Sequence, residues 1–263
     1  MKNRLEKKFL ELKRKRQKAF IAFITAGYPN LKATEKLVLE LGHRGVDIIE
    51  LGVPFSDPMA DGPTIQEASF ESLKKKTSLS DILKLVKRLR KKSEVAICLM
   101  TYYNPIFAFG EEKFVKSAKS AGVDGVIIPD LPPEEAKGLI KLSRSAALDT
   151  IFFISPTTSR ERIRFIARVS RGFIYYVCLT GVTGARKNLP RDLLNKLKEV
   201  KKHAKFPVCV GFGVSTNQQV RQIYKIADGV IVGSAIVKKI KENLHNKDLT
   251  KRVGDFVSYL KHV

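Results

Sequence analysis

Short apolar runs alternate with amphipathic segments along the whole chain. Eight of these runs are predicted strands, at residues 19–26, 48–53, 95–103, 125–129, 150–155, 173–179, 207–212 and 229–233. Most of them are continuously apolar or β-branched rather than alternating, which is typical of parallel strands that are covered on both faces. The pattern therefore predicts a parallel sheet.

The intervening segments repeat their apolar residues at the helical period. Predicted helices lie at residues 4–17, 79–91, 111–121, 133–146, 159–170, 190–203 and 216–226, with a further one starting at Asn30 and a C-terminal one at 248–260. Strands that are each followed by a helix indicate an α/β fold, and eight such units in 263 residues match a (β/α)8 TIM barrel. The extra N-terminal helix is expected to cover the barrel floor.

An open doubly wound sheet is the alternative fold. It would place a glycine-rich dinucleotide loop after the first strand, and residues 25–29 (Thr-Ala-Gly-Tyr-Pro) form no such loop. No shift in composition marks a linker, so residues 1–263 are predicted to form a single (β/α)8-barrel domain.

Basic residues are in large excess, since 49 Lys and Arg against 26 Asp and Glu give a formal net charge of +23. Such an excess raises the question of a nucleic-acid partner. The basic runs at 13–18, 74–76, 87–92 and 198–205 are spread over separate predicted helices, however, and Trp is absent. We therefore expect solvated helix faces and no nucleic-acid binding. With no run of about 20 apolar residues and no signal-peptide pattern, we expect a cytoplasmic protein without membrane contact.

Cysteine and histidine form no metal or nucleophile pattern. Cys98, Cys178 and Cys209 stand in separate apolar runs without a CxxC pair, so we expect buried, reduced thiols. The four histidines are far apart in or beside predicted helices. We expect no metal site in this chain.

Two acids stand where barrel enzymes place reactive groups, at the carboxyl ends of strands and in the loops that follow. Glu50 lies inside the second predicted strand among apolar neighbours. Desolvation there would raise its pKa and suit it to proton transfer, although a structural carboxylate paired with Lys or Arg explains the position equally well. Asp61, in the loop after that strand, is placed to reach the same cavity; alternatively, Asp57 and Asp61 are turn or capping residues.

Glycines cluster after the last three predicted strands. Residues 181–184 (Gly-Val-Thr-Gly) follow the sixth strand, 211–213 (Gly-Phe-Gly) end the seventh, and Gly233-Ser234 end the eighth. Backbone amides in these loops, with a short helix starting at Ser234, predict a phosphate cradle where barrels usually carry one, although tight turning alone also explains the glycines. The residues by themselves thus predict a phosphate-binding barrel with two carboxylates for proton transfer.

Longer motifs are similar to those of the tryptophan synthase alpha-chain family. The central one is residues 49–66, Ile-Glu-Leu-Gly-Val-Pro-Phe-Ser-Asp-Pro-Met-Ala-Asp-Gly-Pro-Thr-Ile-Gln. The resemblance continues at residues 23–29, 99–105, 129–132, 155–157, 181–185, 211–213 and 233–237, and so covers nearly the whole chain.

The resemblance implies a carbon–carbon lyase that splits indole-3-glycerol phosphate into indole and glyceraldehyde 3-phosphate by a retro-aldol reaction, in the last steps of tryptophan biosynthesis. It makes Glu50 and Asp61 the catalytic pair, with Glu50 moving protons and Asp61 binding the indole N–H. Implied substrate contacts are Phe23, Tyr102 and Phe212 beside the indole, Tyr175 at the mouth, Thr183 beside Asp61, and Gly184, Gly213, Gly233 and Ser234 around the phosphate.

The resemblance also implies a partner. Members of the family form an αββα complex with a beta chain that holds pyridoxal phosphate, so no cofactor is expected in this chain itself. Asp57, Asn104 and Pro105 are the expected partner contacts.

The sixth loop departs from the family pattern. Cys178-Leu179-Thr180 precedes Gly181 where many members have Ser-Arg, and Arg186 follows Ala185 where many have an acid. The altered loop supports an alternative interpretation, in which the chain is a regulatory subunit that cleaves substrate poorly. Another sugar-phosphate barrel enzyme, such as an isomerase or epimerase, is the second rival.

Overall fold

The computed structural model describes residues 3–177, 193–211 and 213–262. Strands in this part of the chain are β1 (Ala19–Thr25), β2 (Ile48–Gly52), β3 (Ala96–Met100), β4 (Gly125–Ile127), β5 (Asp149–Ile151), β6 (Phe153–Ile154), β7 (Ile174–Val177), β8 (Val208–Gly211) and β9 (Gly229–Val232). Helices are α1 (Arg4–Arg14), α2 (Leu31–His43), α3 (Pro63–Lys74), α4 (Leu79–Leu89), α5 (Tyr103–Phe109), α6 (Glu111–Ala121), α7 (Lys137–Ser145), α8 (Arg160–Val169), α9 (Leu193–His203), α10 (Asn217–Tyr224), α11 (Ser234–Lys241) and α12 (Leu249–Lys261).

These strands form one parallel sheet in the order β5-β4-β3-β2-β1-β9-β8-β7-β6. The two ends of that order are halves of one strand, because only Phe152 separates β5 from β6. β5 pairs with β4, and β6 pairs with β7, so the sheet closes on itself as an eight-membered barrel. The predicted (β/α)8 barrel is confirmed, and the open doubly wound alternative is wrong because an open sheet would end in two separate edge strands.

The strands supply two apolar cores, one inside the barrel and one under the helices. In β1, Ala19 and Ile21 belong to the interior cluster, whereas Phe20, Ala22 and Ile24 belong to the larger cluster that the helices cover. Successive side chains of a strand point to opposite faces, and here both faces are buried. This arrangement explains why the predicted strands are apolar runs rather than alternating ones.

The first helix closes the amino-terminal end of the barrel. Leu5, Phe9 and Leu12 recur at helical spacing on α1 and belong to the interior cluster. Asn3, which precedes the helix, donates from its side-chain amide to Asp149 Oδ2 at 2.7 Å. The expected floor helix is confirmed.

Two helices are absent from the sequence prediction. α3 begins with Pro63, which suits the first helical position, but its buried residues are the small Ala68, Ser69 and Ser72. Small buried residues produce no apolar stripe for the periodicity to detect. α5 begins at Tyr103, inside the segment predicted as the third strand, because that strand ends at Met100.

The basic runs lie on exposed helix surfaces, as predicted. Lys74 on α3, Lys87 on α4 and Lys202 on α9 are exposed, as is Lys75 at the C-cap of α3. Cys98 and Cys209 are buried free thiols, also as predicted, and Cys178 lies outside the described residues. Among the described helices, none has both the length and the apolar character needed to cross a bilayer.

Asp124 supports a stability prediction. Its carboxylate is 2% exposed and accepts from Arg90 Nη2 at 2.8 Å and from Ile97 N–H at 2.9 Å. Asp124→Ala leaves the Arg90 guanidinium buried without its acid, so we expect urea unfolding to show a loss of about 3–5 kcal/mol in the free energy of unfolding. Glu112→Ala, which removes an exposed pair with Lys116 and one acid from the first turn of α6, should change it by about 1 kcal/mol or less. Similar losses in both variants would contradict the prediction.

Candidate active site

Glu50 lies in the middle of β2, and its side chain is completely buried. β2 runs between β1 and β3, which places Glu50 opposite Phe23 on one side and Cys98 on the other. Residues in register on parallel neighbours share a face of the sheet. Because Cys98 belongs to the interior cluster, Glu50 faces the inside of the barrel.

The Glu50 carboxyl group has no counter-charge among the described residues. Neither of its oxygens has a hydrogen-bond partner in the part of the chain that the structure describes. Burial raises the pKa of Glu50 to about 8, and the charge of Asp61 adds to the effect. The alternative of a carboxylate paired with Lys or Arg therefore finds no partner among these residues.

Asp61 comes from the loop between β2 and α3 and is held by Tyr102. The Tyr102 hydroxyl donates to Asp61 Oδ2 at 3.2 Å and accepts from Ala60 N–H at 2.9 Å. Phe55, from the same loop, stacks on the Tyr102 ring with centroids 5.1 Å apart. Burial raises the pKa of Asp61 to about 6, while the hydrogen bond from Tyr102 opposes the rise. The N-cap of α3 is Gly62, so Asp61 is not the capping residue.

The two acids differ in their protonation at neutral pH. With a pKa of about 8, Glu50 keeps its proton, whereas Asp61, with a pKa of about 6, has lost its own. Neighbouring carboxyl groups whose environments separate their pKa values are suited to distinct acid and base roles. The site thus combines a proton donor and an anion.

Phe23 occupies space left by Gly52 and lies in ordinary contact range of Gly233 at the barrel mouth. A methyl group on Gly52 would lie 2.5 Å from Phe23 Cζ, and one on Gly233 would lie 3.4 Å from Phe23 Cβ. The sequence analysis did not single out Gly52, whose missing side chain leaves room for Phe23. The available signal was a glycine at the end of a central strand, which often marks a close approach.

Tyr175 lies on β7 and faces the two acids. Its ring packs on Phe153 with centroids 4.8 Å apart, and its hydroxyl lies 2.8 Å from the position that a side chain on Gly211 would occupy. Burial raises the pKa of Tyr175, and the charges of Glu50 and Asp61 raise it further. Tyr175 is therefore within electrostatic reach of both acids.

The described glycines of the predicted phosphate cradle lie beyond β8 and β9. Gly233 is the N-cap of α11 and Ser234 is its first residue. The first amides of a helix have no acceptor within the helix, so they are available to an anion. Gly213 has φ 56°, a conformation that favours glycine, and a Cβ added there would meet no described atom within 4 Å beyond its chain neighbours.

The expected partner contacts are on the surface beside the mouth. Asp57 and Asn104 are exposed, and Pro105 is partly buried. Met59 and Phe107, on the same two elements, are 81% and 67% exposed. The remaining predicted site residues, Thr183, Gly184 and Phe212, lie outside the described residues, as do Leu179 and Arg186 of the altered loop.

A closed (β/α)8 barrel with a buried glutamic acid inside β2 and a second acid in the loop that follows, both with raised pKa values, has the fold and site of a barrel enzyme. The family model described as "Tryptophan synthase alpha chain" matches residues 9–261. This chain belongs to the tryptophan synthase alpha-chain family.

Individual relatives agree with the family match. The tryptophan synthase alpha chain of Citrifermentans bemidjiense is 51% identical over 259 residues, which are 98% of this chain and 97% of the relative. The crystal structure of the alpha chain from Legionella pneumophila subsp. pneumophila superposes with a TM-score of 0.91 at 37% identity, covering 99% of this chain and 96% of that one. A matched chain in the Pyrococcus furiosus tryptophan synthase complex has a TM-score of 0.86 at 37% identity, covering 93% and 98%.

The burial of Glu50 predicts a pH dependence of stability. An unfolded glutamate releases its proton near 4.5, whereas folded Glu50 keeps it up to about 8. The folded state therefore binds more protons between these values, and the free energy of unfolding falls as the pH rises through this window. Glu50→Gln has no ionisable group at this position, so its free energy of unfolding lacks this pH dependence. From pH 5 to pH 8, urea unfolding should show the unsubstituted protein losing about 2–4 kcal/mol more than Glu50→Gln.

The control is Glu135→Gln, because Glu135 is an exposed glutamate on the surface. It should follow the unsubstituted protein at both pH values. If Glu50→Gln lost as much free energy of unfolding between pH 5 and pH 8 as the unsubstituted protein, Glu50 would not be a buried acid with a raised pKa.

Proposed function

We propose that Glu50 and Asp61 cleave indole-3-glycerol phosphate into indole and glyceraldehyde 3-phosphate, the carbon–carbon lyase reaction of the family to which the chain belongs. One observation carries the assignment of these residues: Glu50 is buried in the barrel interior with no hydrogen-bond partner among the described residues, and the nearby charge of Asp61 helps to raise its pKa. Aldol cleavage of this substrate needs a group that both gives and takes a proton.

Glu50 carries the proton through the reaction. Its carboxylic acid protonates C3 of the indole ring, so that the ring accepts the electron pair of the breaking bond between C3 and the glycerol chain. The resulting carboxylate then takes the proton of the adjacent glycerol hydroxyl, and that carbon becomes the aldehyde. Glu50 ends the cycle protonated, and the proton count balances.

Asp61 stabilises the charge that develops on the ring. As an anion, it accepts a hydrogen bond from the indole N–H and opposes the positive charge formed when C3 is protonated. Tyr102 orients it through the 3.2 Å hydrogen bond to Oδ2. A fixed carboxylate in a water-poor site acts more strongly than one in bulk water.

The other predicted residues divide between the two ends of the substrate. Phe23, Tyr102 and Phe212 flank the indole, and Tyr175 faces the glycerol chain. Gly184, Gly213, Gly233 and Ser234 hold the phosphate through backbone amides and the start of α11, with Thr183 in the loop beside Asp61. The location of Phe23 against both Gly52 and Gly233 supports this arrangement, because it puts the apolar and anionic ends of the pocket side by side.

A tryptophan synthase beta chain is the proposed partner, in an αββα complex. The match to a chain of the Pyrococcus furiosus complex supports it. Asp57, Asn104 and Pro105 are the proposed contacts, and the exposed Met59 and Phe107 beside them are apolar enough to be covered. Pyridoxal phosphate belongs to the beta chain in this proposal, with no cofactor in the alpha chain, and the complex works in the cytoplasm.

Indole release tests the function. Indole-3-glycerol phosphate is supplied to the isolated chain and to its complex with the beta chain, and we expect release that rises with the partner. Glu50→Gln should lower kcat by about 10²–10⁴-fold, because it can neither donate nor accept the proton. Glu135→Gln should leave kcat unchanged. No release by the unsubstituted chain in either sample would favour the regulatory-subunit reading and overturn the proposal.

The phosphate site has a separate test at Ser234. Ser234→Asp puts a negative charge at the first position of α11, where it favours the helix dipole and so preserves the fold. The same charge repels the substrate phosphate, so KM for indole-3-glycerol phosphate should rise by about tenfold or more, with a smaller change in kcat. Ser234→Ala is the matched control, with little effect on KM because the amides remain. An unchanged KM in Ser234→Asp would place the phosphate elsewhere.

A further inference from the structure

Asp130 belongs to the motif at residues 129–132 (Pro-Asp-Leu-Pro), to which neither proton transfer nor phosphate binding assigns a role. It follows β4, and its side chain reaches the start of α5. Both of its carboxylate oxygens accept from Tyr103 N–H, at 2.9 and 3.1 Å. Tyr102, the N-cap residue of α5, makes no side-chain capping bond of its own. Asp130 therefore caps α5 from the neighbouring loop.

α5 depends on this cap more than a longer helix would. It spans seven residues, of which Ile106 is the buried one. Helices this short are marginal without outside contacts, and one buried side chain supplies little packing. The interaction with Asp130 thus has a large share in fixing the first turn of α5.

The first turn of α5 determines where Tyr102 lies. The Tyr102 hydroxyl bridges Ala60 N–H and Asp61 Oδ2, at 2.9 and 3.2 Å. A continuous set of contacts therefore runs from Asp130 through the backbone at Tyr103 and the Tyr102 ring to Asp61. Displacing the start of α5 lengthens the final hydrogen bond.

We propose that Asp130 is a positioning residue for Asp61, which it orients by fixing the start of α5 and with it the Tyr102 hydroxyl. Asn104 and Pro105 lie on the same helix. A partner that binds them therefore also affects the position of Asp61, through the start of α5 and the Tyr102 hydroxyl. The catalytic consequence rests on the proposed function, whereas the effect on Asp61 itself does not.

Loss of the cap should change the titration of Asp61. Asp61 interacts electrostatically with Glu50 from β2 and Tyr175 from β7, and it accepts from Tyr102, whose hydroxyl is also affected by the charge of Asp130. The hydrogen bond from Tyr102 lowers the pKa of Asp61, and burial raises it. When that hydrogen bond is weakened, the effect of burial dominates and the pKa of Asp61 rises.

The direct test is a carboxyl-carbon NMR titration of the full chain. In Asp130→Ala, the pKa of Asp61 should be higher than in the unsubstituted chain. Asp130→Asn keeps an acceptor oxygen for Tyr103 N–H and should restore most of the difference. Tyr102→Phe should also raise the pKa of Asp61. In the double variant Tyr102→Phe with Asp130→Ala, the pKa of Asp61 should be little higher than in Tyr102→Phe alone. This measurement needs no turnover, so it stands even if the proposed function fails.

Kinetics of the complex with the beta chain give a second readout. In Asp130→Ala, kcat for indole release should fall about tenfold while KM changes by less than about threefold, because positioning of Asp61 is lost and the phosphate site is retained. The acid limb of kcat/KM should move to higher pH, since Asp61 must be ionised. Asp130→Asn should recover both values.

Asp81→Ala is the matched control. Asp81 also caps a helix, α4, by accepting from Ser78 N–H at 3.3 Å, but it does not contact the site. Its loss should lower stability without moving the Asp61 titration. The inference is overturned if Asp130→Ala leaves the pKa of Asp61 unchanged, or if its effect adds fully to that of Tyr102→Phe.

Discussion

Glu50, an acid with no counter-charge among the described residues, is enclosed in an apolar barrel, and the proposed chemistry of this protein depends on it. Ionising Glu50 in that interior is costly because no cation or donor among the described residues compensates the charge. The group therefore keeps its proton to about pH 8. Closure of the sheet through Phe152 creates this condition, since it surrounds β2 with strands and excludes water. Fold and reactivity are thus linked through desolvation.

The two ends of the barrel serve different purposes. At the floor, α1 inserts apolar side chains, and Asp124 and Arg90 form a buried ion pair that ties neighbouring elements together. At the mouth, glycines replace larger residues, so that Phe23 and Tyr175 have room beside the acids. Packing fills one end while small residues leave the other open, as expected for a barrel whose loops carry function.

Several contacts at the mouth join residues that are distant in the chain. Tyr102 holds Asp61 across 41 positions, and Asp130 caps α5 across 27. Such contacts arise because the carboxyl ends of all strands of a parallel barrel meet at one edge. They also bring the loop with Asp57 against the helix with Asn104, so the surface proposed for the partner adjoins the carboxylate that Tyr102 holds.

Sequence alone determined the order of the strands, the parallel barrel and the position of Glu50, because two-sided burial requires continuous apolar runs and a charged residue within one is conspicuous. It did not reveal α3 or α5, since small buried residues and a helix of seven residues leave no periodic signal. Only the tertiary structure decided that no described cation pairs with Glu50 and that Asp61 is held by Tyr102. Hydrogen bonding and desolvation depend on which distant residues are brought together when the barrel closes. The local sequence pattern does not predict those neighbours.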